Sequence, residues 1–177
     1  RRMRVYGPDD VEDLQRRLLR ADRISGYNIF NFDFPVIWGI HKKRWLDWTS
    51  LSEDVYAIMP RGTCGGNLKA ELGMKCDDML RRIWQAQNLN PDRFHPATHG
   101  GTSLDVIAQA TLGACKIGHG AEAPKWYQAG LVQKVVNYCA DDVALERDLT
   151  DFVEQYGYVI LKGSTLKIPT WNVNIRS

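Results

Sequence analysis

Hydrophobic side chains recur at helical spacing in several stretches of the chain, and each stretch predicts a helix. The first stretch carries them at Val11, Leu14, Leu18 and Leu19. Residues 77–88 and 102–111 show the same spacing, with Thr102 or Ser103 suited to cap the second of these helices. The longest stretch runs from about residue 128 to residue 155. The middle of the chain is therefore predicted to be rich in helices.

Short apolar and β-branched runs predict strands towards both ends of the chain. These runs are MRVY at 3–6, RISGYNI at 23–29, YVILKG at 158–163 and LKIPTW at 166–171. Residues from about 41 to 75 follow neither period, and their glycine-rich run RGTCGGN predicts an irregular or hairpin insertion. The chain contains no internal repeat. It is therefore predicted to form a single α/β domain over residues 1–177.

Composition and charge narrow the class of protein. The 177 residues fit one domain, and an apolar share of 44% with a charged share of 25% is ordinary for a globular protein. The net charge of +2 gives no strong field for nucleic acid, so any basic surface is expected to be local. No apolar run approaches the ~20 residues of a membrane span, and the N-terminal run RRMRVYGPDD lacks the apolar stretch of a signal peptide.

Cysteine usage bears on the cellular compartment. The four cysteines are Cys64, Cys76, Cys115 and Cys139. They are widely spaced and include no CxxC pair, unlike the dense pattern that staples small secreted domains. Reduced thiols and a cytoplasmic location without membrane partners are therefore expected.

One apolar and aromatic run is interrupted by polar residues. The run GYNIFNFDFPVI at 26–37 contains Asn28 and Asp33, and Pro35 lies in the first turn of a helix predicted to start at Asp33. An aspartate at such a place is often a helix cap, and an asparagine soon after Gly26 is often a turn residue. The residues alone leave open whether the pair has these structural roles or lines a site.

The long predicted helix carries an acid on its apolar face. The apolar arc comprises Val132, Val135, Val136, Cys139, Val143 and Leu149. Asp142 falls near the middle of this arc and Tyr138 lies one turn before it, whereas Asp141 projects to the solvated side. Burying a lone carboxylate is costly, so Asp142 is expected to meet backbone donors, an arginine or a metal ion.

Taken together, these two segments resemble a known pattern. The chain resembles the 3′–5′ exonucleases of the RNase H-like fold, in the tyrosine subclass whose four acids hold two metal ions. One motif of that family is matched by Asn28, Phe32 and Asp33, and another, a Tyr followed by three spacers and an Asp, by Tyr138 and Asp142. The run GYNIFNFDFPVI is also similar to the proofreading domains of family B DNA polymerases.

Longer stretches resemble stand-alone or helicase-associated predicted exonuclease domains, including phage-borne ones. These stretches are DRFHPATHGGTSLDVIAQATLGACKIGHG at 92–120 and APKWYQAG at 123–130. The likeness covers most of the chain, from about residue 3 to residue 160. It implies an RNase H-like fold with a mixed central sheet flanked by helices, a nucleic-acid partner, and an association with a helicase or polymerase.

The resemblance also implies a two-metal mechanism. Two Mg²⁺ or Mn²⁺ ions, ~4 Å apart, stabilise the attacking and the leaving oxygen, and such hard cations prefer carboxylate oxygens. By this resemblance Asp142 binds the metal ion that activates water, and Tyr138 orients that water. Asp33 holds the second metal ion, directly or through water, while Asn28 and Phe32 contact the end of the substrate.

The first motif of the family, Asp-x-Glu in an apolar strand, has no clear match. The chain has one Asp-x-Glu, at Asp10-Val11-Glu12, and it lies where a helix is predicted to begin. We therefore expect an N-terminally truncated domain whose sheet lacks its first strand, with the missing acids upstream of Arg1. The alternative is a non-catalytic nucleic-acid-binding or scaffolding module with the same fold.

Further residues of the chain are suited to ligands. His95 and His99 lie in HPATH, but Pro96 argues against a helix that presents both rings together. Cys64 with Cys76 lacks the short spacing of zinc sites. Groups suited to single-stranded nucleic acid are the run His41–Trp45, Arg81, Arg82, Trp126 and Tyr127. A solvated helix end explains the basic run equally well, and core packing explains the aromatic rings.

By this resemblance to exonucleases, the intact protein is expected to be a metal-dependent 3′–5′ exonuclease that acts on single-stranded DNA or on RNA. A polymerase proofreading fragment is a third interpretation, and it requires polymerase sequence beyond Ser177.

Overall fold

The computed structural model describes residues 3–37, 75–91, 93–115 and 122–171. Its helices are α1 (Val11–Arg20), α2 (Asp33–Ile37), α3 (Met79–Ala86), α4 (Pro96–His99), α5 (Leu104–Leu112), α6 (Ala123–Gln128) and α7 (Val132–Tyr156). Its strands are β1 (Ile24–Gly26), β2 (Cys76–Asp78), β3 (Tyr158–Leu161) and β4 (Ser164–Lys167). A short 3-10 turn, Pro8–Asp10, precedes α1. The predicted α/β class is confirmed.

The described strands form two small sheets. In the first, β1 and β2 run parallel, with Ile24 opposite Cys76 and Gly26 opposite Asp78. In the second, β3 and β4 form an antiparallel hairpin. Its two-residue turn, Lys162 and Gly163, has φ of 51° and 75°, which is the left-handed geometry that matches the twist of paired strands.

The predicted helices are present with shifted ends. Ser103, and not Thr102, takes the N-cap position of α5. The long helix begins at Val132 because Gly130, with φ of 74°, separates it from α6. No helix in the described part of the chain is both long and apolar enough to cross a membrane. The predicted insertion at 41–75 lies, apart from Lys75, outside the described residues.

The strand predicted at 3–6 is wrong. Residues 3–7 form no regular element, and Met3 and Val5 are exposed. Side chains hold this segment along α1, because Arg4 pairs with Asp13 at 2.9 Å and Arg17 donates to the Tyr6 hydroxyl. An apolar run becomes a strand only when a partner strand accepts its backbone hydrogen bonds.

A strand that the sequence pattern missed is β2. Residues from 77 onward were predicted as helix, yet Cys76–Asp78 pairs with β1 and the helix α3 begins only at Met79. Aspartate is uncommon in strands, so two adjacent aspartates gave no local sign of one. Pairing with a distant segment overrides the local preference here.

Two clusters of buried side chains form the core. The larger joins α3, α5, α7 and β3, and its largest fully buried side chains are Met79, Ile83, Ile107, Leu149 and Val159. The smaller surrounds β1 and β2 and contains Ile24, Ile29, Phe34 and Cys76. The smaller cluster therefore supports the segment in which Asn28 and Asp33 lie.

The face that α7 buries differs from the predicted apolar arc. Val132 and Val143 are half-exposed, and Cys139 is exposed. The buried positions are Tyr138, Leu145, Leu149, Thr150 and Val153. Packing against β1, β3 and α5 buries this face of α7, whereas Val132 in the first turn is exposed and Val135 and Val136 are partly buried. Asp142 is half-buried on the same line as Tyr138 and Leu145.

Candidate functional site

The parallel pair of strands gathers polar residues at one edge. Because β1 and β2 run in the same direction, with Gly26 opposite Asp78, both strands end at the same edge of the sheet. After β1 the chain makes a turn through residues 27–32 and enters α2 at Asp33. The carboxyl ends of parallel strands are common places for ligands.

Asn28 shapes the turn that follows β1. Its φ of 65° lies in the left-handed region, which asparagine tolerates better than most residues. Its side-chain oxygen accepts a hydrogen bond from the Asn31 amide at 2.9 Å, and its carbonyl accepts from the N–H groups of Asn31 and Phe32. Asn28 therefore has the role of a turn residue, which is one of the two roles that the sequence left open.

Asp33 is the first residue of α2 and is partly buried. Loss of solvent raises its pKa from the ordinary value of 3.8 to about 6, its own backbone N–H opposes the rise, and the nearby charge of Asp78 adds to it. Among the described residues no basic side chain forms an ion pair with Asp33. The ring of Phe32, the residue before it, is 50% exposed.

Asp78 is a residue of this site that sequence reasoning missed. It is buried at the end of β2, and its carboxyl group accepts hydrogen bonds from the backbone N–H groups of Asn28, Phe30 and Leu80. Burial raises its pKa, although the N–H donors and the charge of Arg81 oppose the rise. The local signal was the aspartate immediately before the apolar run of α3, since that is a typical N-cap position.

The long helix α7 contributes a second group of polar residues. Tyr138, Asp142 and Glu146 follow one another at intervals of four, so they share a face of the helix. Helix α7 packs against β1, and a β-carbon placed on Gly26 would lie 3.6 Å from a Glu146 carboxylate oxygen. Glu146, which sequence reasoning also missed, therefore lies over the end of β1. Asp141 is exposed, as its position on the helical wheel predicted.

Tyr138 is held by an aromatic neighbour from α6. Its ring is 9% exposed and packs edge-on against Trp126, with ring centroids 5.9 Å apart. The ammonium group of Lys134 lies 4.1 Å from the centre of the Trp126 ring. Of the two aromatics suggested from sequence as base-stacking groups, Trp126 is thus committed to packing, while Tyr127 is exposed.

Asp77, the neighbour of Asp78, belongs to a separate ion cluster. One guanidinium nitrogen of Arg82 lies 3.1 Å from each of its oxygens, and Arg23 donates to it at 2.7 Å. Arg23 also pairs with Glu154 and stacks on Trp171, while Arg82 donates to the Pro169 carbonyl. These contacts hold the C-terminal segment that contains Pro169 and Trp171. Of the two adjacent aspartates, Asp78 is the one that contacts the turn at 27–32.

The other sequence-suggested ligands do not join this site. Asp10-Val11-Glu12 lies at the start of α1, where the Asp10 carboxylate accepts the Gly7 N–H. Proline takes the first position of α4, and His95 precedes the helix as its N-cap. His95 is exposed while His99 is buried, so the helix does not present both rings together, as the position of Pro96 predicted. His99 is buried, with Nδ1 accepting the His95 N–H and Nε2 bonded to the Asn90 carbonyl, so both ring nitrogens have protein partners. Cys64 and residues 41–45 lie outside the described residues.

Substitution of Gly26 tests how tightly the strand end is packed. A β-carbon at this position would lie 2.5 Å from Cγ2 of Ile29, a distance that cannot be maintained. We expect Gly26→Ala to displace the turn and to lower the free energy of unfolding by ~1–3 kcal/mol, measured by urea denaturation. Gly157→Ala is the contrasting variant because nothing lies near its β-carbon and its cost arises from φ of 73° alone. An unchanged turn in Gly26→Ala, seen by amide exchange of residues 27–32, would contradict the expectation.

Comparisons with protein-family models, with curated proteins and with solved structures gave no match for this chain.

Proposed function

We propose that the intact protein is a metal-dependent 3′–5′ exonuclease with an RNase H-like fold. The observation that carries this proposal is the packing of α7 against β1, which brings Glu146, one turn beyond Asp142, over the strand end where the Asn28–Asp33 turn begins. The two sequence segments that carry the resemblance are therefore parts of neighbouring elements. Acidic groups from α7, β2 and the turn meet one edge of the sheet, which suits cation-assisted chemistry on a phosphodiester.

The acidic residues at this edge offer carboxylate oxygens, the type of ligand that Mg²⁺ and Mn²⁺ prefer. Asp33 has a raised pKa because its carboxyl group is shielded from water, and a divalent cation would stabilise its ionised form. The described residues contain no group of three His, Cys, Asp or Glu side chains already arranged around one point. Asp33 and Asp142 would each hold a cation, and further oxygen ligands would come from water and from the substrate.

Each residue has a distinct role in the proposed reaction. Cations held by Asp33 and Asp142 would activate a water molecule and stabilise the leaving oxygen. Tyr138, fixed by Trp126, orients the attacking water through its hydroxyl group. Asn28 and the exposed Phe32 hold the terminal nucleotide, the ring by stacking on the base.

Degradation of labelled single-stranded DNA by the intact protein tests the proposal. With Mn²⁺ we expect a 5′-labelled strand to shorten stepwise and a 3′-labelled strand to release its label as a mononucleotide at once. Asp142→Asn should lower the rate by ~10²–10³-fold, because it removes a cation ligand worth several kcal/mol. Parallel assays on RNA strands decide between the two substrate classes.

The matched control is Asp141→Asn, which removes the same charge from the adjacent, exposed position of α7. It should leave the rate within about twofold of the unchanged protein. Equal losses in the two variants would refute the role of Asp142. If the folded protein binds single strands without degrading them, it is the non-catalytic binding module instead.

A further inference from the structure

We infer that Asp78 is a positioning residue of the candidate site, an inference that rests on the exonuclease proposed above. Its carboxyl group accepts the Asn28 N–H at 2.8 Å and the Phe30 N–H at 3.4 Å, both from the turn that leads to Asp33. It also accepts the Leu80 N–H at 3.1 Å, which ties it to the first turn of α3. One buried side chain thus joins the end of β2 to the turn that carries Asn28, Phe32 and Asp33.

The turn's other hydrogen bonds in the described part of the chain do not join it to β2. The Tyr27 hydroxyl donates to the Thr102 carbonyl, which precedes α5. Among the described residues, the turn's other backbone hydrogen bonds are internal, from Asn31 and Phe32 to the Asn28 carbonyl and from Phe34 to the Ile29 carbonyl. Internal bonds fix the shape of the turn but not its place on the sheet. Asp78 fixes that place because it lies on the neighbouring strand, opposite Gly26.

A carboxylate suits this task better than a neutral group. Asn28 needs φ of 65° to close the turn, so the backbone must be held against its ordinary preference. A carboxylate offers two acceptor oxygens and no donor, and its hydrogen bonds to backbone N–H groups are stronger than those of an amide. Asparagine at position 78 would keep one acceptor oxygen but present an amide N–H to the Phe30 N–H.

Two variants of Asp78 and one of Asp77 separate positioning from general stability. Asp78→Ala removes all three hydrogen bonds, whereas Asp78→Asn preserves the volume and the acceptor for Asn28 and Leu80. Asp77→Asn is the matched control, because it changes an equally buried acid of the same strand whose partners are Arg23 and Arg82. If Asp78→Ala does not fold, Asp78→Asn still tests the inference.

Amide exchange and metal activation are the two measurements. In the intact protein, Asp78→Ala should speed exchange over residues 27–33 far more than over α5, and Asp78→Asn should give an intermediate effect. In the exonuclease assay, the Mn²⁺ concentration for half-maximal rate should rise by ~10-fold or more, since partners that orient ligands contribute that much to metal affinity. Asp77→Asn should affect exchange evenly and leave the Mn²⁺ dependence unchanged.

The two measurements fail independently. Amide exchange does not depend on enzymatic activity. A folded but inactive protein would overturn the exonuclease proposal, and its exchange rates would still test whether Asp78 fixes the position of the turn. An even increase in exchange for Asp78→Ala, equal to that of Asp77→Asn, would overturn the inference. So would an active Asp78→Ala variant with an unchanged Mn²⁺ requirement.

Discussion

Replacing Asp33 by Asn is expected to inactivate the protein and, without metal, to make it more stable. Activity should fall by ~10²–10³-fold, because the neutral amide no longer attracts a cation. The free energy of unfolding should rise because the variant no longer places an ionised carboxyl group where it is shielded from water and near the charge of Asp78. These two effects raise the pKa of Asp33 to about 6. A residue that lowers the free energy of unfolding in the absence of ligand is expected in a ligand-binding site.

The sign of the stability change depends on pH. The folded state keeps a proton on Asp33 up to about pH 6, whereas the unfolded chain loses it near 3.8. As pH rises through this window the unfolded state is favoured, so the unchanged protein loses up to ~3 kcal/mol that Asp33→Asn retains. Below the window the two proteins should have equal stability.

Urea denaturation of both proteins at several pH values, with and without Mn²⁺, measures this effect. Mn²⁺ should stabilise the unchanged protein more than Asp33→Asn, because a ligand that binds only the folded state opposes unfolding and the variant has lost one of the two proposed cation ligands. Asp148→Asn, on the exposed face of α7, is the control for loss of an acid. A variant less stable than the unchanged protein at pH 8 would show that Asp33 acts as a structural cap.

Replacing Asp77 by Ala is expected to destabilise the protein strongly without touching the candidate site. The side chain is completely buried, and its loss leaves the buried guanidinium of Arg82 without its carboxylate. Breaking such a pair lowers the free energy of unfolding by ~3–5 kcal/mol. Arg82 and Arg23, which lose this partner, also contact the C-terminal segment at Pro169 and Trp171. Thermal or urea unfolding measures the loss of stability.

A double variant identifies the cause of that cost. Arg82→Met with Asp77→Ala removes both charges, so it should be clearly more stable than Asp77→Ala alone if the unpaired guanidinium is responsible. The Nε atom of Arg82 already has no partner among the described residues, so removal of this side chain relieves a further penalty. Additive losses in the double variant would instead assign the cost to lost packing.

Local signals in the sequence were enough to predict part of this architecture. Pro35 placed the start of α2 at Asp33, and the spacing of apolar residues predicted α1, α5 and α7. These signals work because a helix is stabilised by residues three or four apart in sequence. The pairing of Tyr138 with Asp142 on one face of α7 follows from the same geometry.

What the sequence could not predict depends on distant segments. Strand β2 exists because it pairs with β1, and the role of Asp78 depends on that pairing. The apolar arc of α7 was wrong at Val132 and Val143 because a helical wheel shows which residues share a face but not what that face contacts. The resemblance to exonucleases stays a prediction, as does the assignment of metal ligands.

The parallel pairing of β1 with β2 has a consequence for the order of folding. Asn28 and Asp78 are 50 residues apart in sequence, whereas the hairpin of β3 and β4 closes through two residues directly after α7. Closing a longer loop costs more chain entropy, so distant pairings form late. The C-terminal half is therefore expected to assemble first, and the edge with Asn28, Asp33 and Asp78 last. A chain arrested early would have a core but would lack the candidate site.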